Sequence, residues 1–278
     1  MKGPINNVKN EDMEQIETRA GYAGAEAKSA EQYWLSGREH IERVHAEGGW
    51  QEYADGIHEE ERERLFSTRS TCVCCMDERV AFGSGETLDA VYAAGCGILI
   101  KDDVEKRQAF VAALKERGVT DVYSHAECGA VALYAEQKGI ALAEALLEAD
   151  TWYRELADAL GGTYHADLAV SPEGHHVAQT LYWDATGTFN PGKVPGIFPT
   201  GFVVTEPVVG TAHAKEHVDV ALGIALGEHG FGTRFSAAHP FEIVVVAPSA
   251  EELMRIQALL EPFVERHGGA VRIDGLIR

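Results

Sequence analysis

Between residues 70 and 139 the chain alternates short apolar runs with one amphipathic helical pattern, and this alternation limits the fold more than any other feature. Residues 70–74 form an apolar run that enters a loop. Residues 88–93 form a second run, ending in Ala94-Gly95-Cys96-Gly97. Residues 102–117 show helical spacing, with Val104, Phe110, Val111 and Leu114 expected on one face, an Asp at 102 or 103 as cap, and Gly118 as stop. A third run covers 119–123, with His125 just past its end, and a further helix starts at Gly129. Strand, turn, helix and strand at this spacing predict an α/β fold with a parallel-core sheet flanked by helices.

In such a sheet, ligands bind beyond the carboxyl ends of the strands. Two sequence motifs fall there. One is Cys72-Val73-Cys74-Cys75-Met76-Asp77-Glu78-Arg79, and the other is His125-Ala126-Glu127-Cys128-Gly129. Two thiolates and one imidazole form a known catalytic zinc set, with the fourth position open to water or substrate. Cys75, His125 and Cys128 are therefore the predicted metal ligands, and Zn²⁺ the predicted cofactor. Cys72 and Cys74 share a strand face opposite Cys75 and read as small core residues. Cys96 reads as packed near the site without ligating. Asp77 and Arg79 are spaced for a charge-assisted, bidentate pair. Such a pair would hold Asp77 off the metal. His165, His175, His176, His213, His217, His229 and His239 make the second half rich in histidine, with no spacing that singles one out. Gly83-Ser84-Gly85 lacks a phosphate-loop pattern and reads as a turn.

Composition excludes several partners. The net charge of −20 leaves no basic stripe for nucleic acid or for an anionic membrane surface. The most apolar run, 90–100, is too short and too rich in glycine to span a bilayer. Residues 1–31 are polar and acidic, unlike a secretory leader. Five cysteines, three of them within four residues, fit reduced thiols in the cytoplasm better than a disulfide framework.

Residues 1–66 are predicted to form an N-terminal helical extension and 67–278 a zinc-binding α/β domain. In the extension, Trp34, Leu35, Ile41, Val44, Trp50, Tyr53 and Ile57 recur at near-helical spacing, broken at Gly48-Gly49. They predict two helices lying on the domain or on a partner, and the aromatic content favours a dimer arm. Further on, helices are expected at 140–160, 216–226 and 249–267, the last capped by Ser249 with Glu252 as its box partner. Strands are expected at 176–184, 202–204, 241–246 and 271–277. No internal repeat is visible.

At Cys75-x-Asp77-x-Arg79 followed by His125-x-x-Cys128, the chain resembles the β-class carbonic anhydrases. The match covers about residues 70–139, with a weaker likeness at 177–187. The resemblance implies a zinc enzyme that reversibly hydrates carbon dioxide to bicarbonate through a zinc-bound hydroxide. It implies Cys75, His125 and Cys128 as ligands, Asp77 and Arg79 as the catalytic dyad, and a homodimer or a multiple of one. Glu78 stands where that family usually has Ser, and Tyr92-Ala93-Ala94-Gly95-Cys96 replaces its Arg-Asn-Ala-Gly segment. These departures are compatible with the divergent limiting-CO2-inducible protein B type, or with a relative acting on carbonyl sulfide or carbon disulfide. A non-catalytic zinc-stabilised scaffold and a thiol redox protein using Cys72, Cys74 and Cys75 are the readings from other classes. The substrate pocket is expected among residues 80–92 and 96–99, by position alone.

Overall fold

The structure is a computed structural model that describes residues 29–66, 69–83, 88–168, 170 and 176–278. It is α/β, with two four-stranded parallel sheets flanked by helices.

The chain enters through three helices, α1 (Ala30–Ala46), α2 (Trp50–Asp55) and α3 (Glu59–Leu65). Ser29 and Gln32 close a reciprocal capping box that starts α1. The first sheet follows: β1 (Cys72–Cys74), a short helix α4 (Glu78–Gly83), β2 (Ala90–Tyr92), a 3₁₀ segment Ala94–Ile100, α5 (Val104–Glu116), β3 (Asp121–His125), α6 (Gly129–Lys138), α7 (Leu142–Leu160) and β4 (Tyr164–Leu168). Its strand order is β2-β1-β3-β4. The remaining elements are β5 (Thr180–Asp184), β6 (Gly201–Thr205), α8 (Glu206–Val209), α9 (Thr211–Ala225), β7 (Phe241–Ala247), α10 (Ala250–Arg266) and β8 (Val271–Ile277). They build the second sheet, in the order β6-β5-β7-β8.

The second sheet is the main departure from the expected single core. All seven residues of β7 are buried, as a central parallel strand covered on both faces requires. The strand expected over 176–184 begins at Thr180 and belongs to this sheet, not to the first. Both sheets have the same connectivity: the second strand in chain order lies on one edge, followed by the first, third and fourth. A repeat absent from the sequence is thus present in the topology. The sheets meet along β6: the Tyr92 amide of β2 donates to Thr205 Oγ1 at 3.0 Å, and the Val203 amide donates to the carbonyl of Met76, in the loop after β1, at 3.1 Å.

The N-terminal helices number three among the described residues, and they lie on the chain's own second sheet. Trp50 is fully buried, edge-on to Tyr182 and stacked near Phe198. Its indole N–H donates to Glu242 of β7 at 2.7 Å. Trp34 is buried as well. The indoles of Trp34 and Trp50, part of the aromatic area that pointed to a dimer arm, are therefore covered within the chain. In α5, Phe110 and Leu114 are buried as expected, but Val104 is 54% exposed because it occupies the first turn, ahead of the buried stripe. α9 starts at Thr211, ahead of the expected 216, from a Gly210 N-cap that carries no side-chain signal. Ser249 caps α10 through the Glu252 amide, while the Glu252 carboxylate turns to Arg255 and leaves the box open.

Candidate metal centre

Parallel pairing of β1 with β3 sets the site. Cys72 lies opposite Asp121 and Val73 opposite Val122, so the two strands end side by side. Cys75 follows the end of β1. His125 is the last residue of β3, which runs two residues beyond the expected end at 123. After it, Glu127 adopts a left-handed conformation at φ 56°, a turn that brings Cys128 back to the N-cap of α6. The Cys75 and Cys128 sulfurs are 3.7 Å apart. One donor atom from each of Cys75, His125 and Cys128 lies within 4.8 Å of the others, and all three residues are buried.

This donor set can bind a metal ion. Both ring nitrogens of His125 are buried without a hydrogen-bond partner, which costs free energy unless something coordinates one of them. The Cys75 thiol carries the same signal. Without a cation, the contact with Cys128 and burial hold the Cys75 thiol well above its ordinary range, and a metal would supply the charge that a thiolate needs. The Gly95 amide donates to Cys75 Sγ at 3.3 Å and fixes that sulfur from behind.

The other cysteines are placed elsewhere. Cys72 and Cys74 face each other on the opposite side of β1, with their sulfurs 3.9 Å apart. Cys96 Sγ donates to the Tyr123 carbonyl at 3.2 Å. Burial, together with the Cys72 contact at Cys74, keeps the thiols of Cys74 and Cys96 protonated.

Asp77 and Arg79 form the expected bidentate pair, Nε to Oδ1 at 3.0 Å and a terminal nitrogen to Oδ2 at 2.8 Å. The Arg79 amide adds a third bond to Oδ1 at 2.9 Å. Burial opposes ionisation of Asp77, but the Arg79 bonds and His125 outweigh it and bring the carboxyl to about 2. Arg79 also reaches the Glu127 carbonyl at 3.4 Å, so one guanidinium ties the Cys75 loop to the Cys128 loop. Asp77 Oδ2 stands 3.8 Å from His125 Nε2, at the edge of the cluster.

Sequence reasoning missed one pair. Glu78 is 1% exposed, and both its oxygens lie 2.9 Å from His176 Nδ1. Glu78 at a position expected to hold Ser was the available signal, but its partner is 98 residues away among seven candidate histidines. The other described histidines do not join the cluster: His165 stacks on Tyr123 and His213 bonds Glu216 within α9. His217 is buried, and burial lowers its ring to about 3. His175, Ser84 and Gly85 lie outside the described residues. Of the segments expected to form the pocket, Val80, Tyr92 and Ile98 are buried, and the Tyr92 hydroxyl is taken by Asn190 at 3.0 Å.

No family model, no curated protein and no solved structure matches the chain. No helix among the described residues is long and apolar enough to cross a membrane.

Proposed function

We propose that the chain is a zinc enzyme that reversibly hydrates carbon dioxide to bicarbonate. The observation that carries this reading is the Cys75–His125–Cys128 cluster with an Arg79-clamped Asp77 at its rim. Three protein donors leave a fourth position for solvent or substrate, and two thiolates with one imidazole suit zinc. A zinc ion held there would supply Lewis acidity and lower the pKa of water to about 7.

The chain's own residues do the rest. Cys75, His125 and Cys128 hold the ion, and the Gly95 N–H orients the Cys75 sulfur. Arg79 occupies both Asp77 oxygens and so keeps that carboxylate from turning inward as a fourth ligand. Kept ionised, Asp77 can only accept hydrogen bonds, which orients a water whose lone pair must face carbon dioxide. Buried residues around the cluster, among them Val80, Ile98 and Ala130, provide apolar surroundings for an apolar substrate. Five unpaired thiols fit the reducing cytoplasm.

Stopped-flow carbon dioxide hydration on protein of measured metal content tests the reading. The expected result is about one zinc per chain, as one such cluster requires, with hydration well above the buffer rate. Arg79→Ala should keep its zinc and lose hydration. Fully zinc-loaded wild-type protein with no hydration above the buffer rate would refute the reading.

A further inference from the structure

A buried carboxylate next to the proposed dyad needs an explanation that the dyad does not give. Glu78 places its charge at 1% exposure, one residue from Asp77, where a second negative charge is unfavourable. Its hydrogen-bonded partner is the His176 ring, which arrives from the segment before β5, in the other half of the molecule. Two further contacts fix that ring. The His176 amide donates to the His229 carbonyl at 2.9 Å, and the ring packs on Phe202 of β6 at 5.9 Å between centroids.

The arrangement has a direction. Asp77 lies 3.8 Å from His125. Ligand atoms of Asp77, Glu78 and His176 all lie within 4.8 Å of one another. The Asp77 and Glu78 side chains are 5% and 1% exposed, whereas that of His176 is 14% exposed, so the row of polar groups opens to solvent at the imidazole.

We propose that His176, held by Glu78, carries protons between the reaction centre and solvent, an inference that rests on the hydration reading above. Carbon dioxide and water give bicarbonate and one proton, so each turnover must export a proton. One C–O bond forms as one C=O π bond of carbon dioxide opens onto its oxygen, one O–H bond breaks, and no oxidation state changes. His176 takes the proton as imidazolium and passes it to a buffer base. In the dehydration direction the same steps run backwards. A single water can bridge the gap from Asp77 to the ring.

Glu78 is the positioning residue: it fixes the ring by Nδ1 and stabilises the imidazolium. The charged groups facing the ring are Glu78, Asp77 and Arg79. Burial lowers the basicity of His176, but Glu78 and Asp77 outweigh burial and Arg79, and the ring ends above its ordinary value. A second metal ion among these groups is disfavoured, because the Arg79 guanidinium already holds both oxygens of Asp77.

The test uses zinc-loaded wild type, His176→Ala and Glu78→Gln, each with measured metal content. The expected result for His176→Ala is a fall in kcat of at least about tenfold, modest beside the ~10²–10⁴ of general acid–base catalysis. Its kcat/KM and zinc content should hold, and added imidazole should restore kcat. In Glu78→Gln the His176 ring, followed by NMR titration, should become less basic, and the pH profile of kcat should shift with it. An unchanged kcat in His176→Ala at low buffer overturns the inference. So does a parallel loss of kcat and kcat/KM that imidazole does not rescue, which would mark a structural role. An unchanged ring titration in Glu78→Gln overturns the positioning role. A zinc-loaded wild type without hydration activity instead overturns the function reading, and takes the inference with it.

Discussion

Gly95 is the residue on which the proposed centre is most sensitive to a single methyl group. It follows β2 at φ +49° and donates its amide to Cys75 Sγ. A Cβ at this position would lie 2.7 Å from Ile98 Cγ2, 3.0 Å from Ala130 Cβ and 3.6 Å from Cys128 Sγ. Ile98 and Ala130 are buried, so neither can swing into solvent. Left-handed strain costs about 1–2 kcal/mol for a residue with a Cβ. Forcing a methyl into a filled core adds about 1–3 kcal/mol. Gly95→Ala should therefore lose about 2–5 kcal/mol, the sum of these two costs. Gly139→Ala is the control, since Gly139 has φ +67° and nothing within 4 Å of its added Cβ. It should lose only the strain, about 1–2 kcal/mol. Urea unfolding of chelator-treated protein measures both losses. Competition with a chromophoric chelator measures metal affinity, which should fall by about 10–100-fold in Gly95→Ala, as for other residues that orient a ligand. Equal losses in the two variants, with unchanged metal affinity in Gly95→Ala, would refute the reasoning.

Three other predictions follow from the same geometry. Cys75→Ala should lose its metal and Cys74→Ala should keep it, because the Cys74 sulfur faces Cys72 across the strand from the cluster; elemental analysis decides, and the reverse result would show the wrong cysteine was chosen. Arg79→Ala leaves a buried carboxylate without its partner and should lose ~3–5 kcal/mol; combined with Asp77→Asn it should cost less than the two single losses added, in a double-mutant cycle read by urea unfolding. Burial raises the Asp184 carboxyl to about 6 from an ordinary 3.8, against hydrogen bonds from Thr186, Gly187 and Phe189. The folded state therefore holds that proton more tightly than the unfolded chain, and stability present below pH ~4 is lost as pH rises past ~6, by about 3 kcal/mol; unfolding of Asp184→Asn across this window should lack that slope, and parallel profiles would refute it.

The proposed ligands could be read in the sequence because their positions depend on local rules. Cys75 and His125 come at strand ends, and in a parallel sheet adjacent strand ends are neighbours. The Asp77–Arg79 pair could be read for a similar reason, since two residues of separation put carboxylate and guanidinium in reach. The Glu78–His176 pair depends on packing between elements 98 residues apart, and nothing in the local pattern selects His176 from the other histidines. The same limit hid the second sheet. β7 and β8 are legible as strands, but the parallel pairing of β7 with β5 and of β8 with β7 is a tertiary fact. The aromatic residues of α1 and α2 showed that a surface had to be covered. They could not show that Tyr182 and Phe198 of the same chain cover it.

The shared connectivity of the two sheets shows what the first half gives up to carry the site. In each half a helix follows the third strand: α6 after β3, and α10 after β7. At the start of α10 the N-cap is Ser249, whose hydroxyl accepts from the Glu252 amide. At the start of α6 the N-cap is Cys128, which makes no side-chain capping bond. A capping hydroxyl typically contributes ~0.5–2 kcal/mol, so a cysteine there forgoes stability that the second half keeps. The contrast repeats one turn earlier. β3 ends in a buried histidine with two unpartnered nitrogens, while β7 ends in Ala247, fully buried and apolar. At this strand end and this helix start the second half thus has an apolar residue and a capping hydroxyl where the first has His125 and Cys128. It lends its edge to the first: Val203 of β6 binds the Met76 carbonyl, and Phe202 supports the His176 ring. One copy of the topology holds the candidate ligands at its strand and helix ends, and the other braces the loop that carries Cys75.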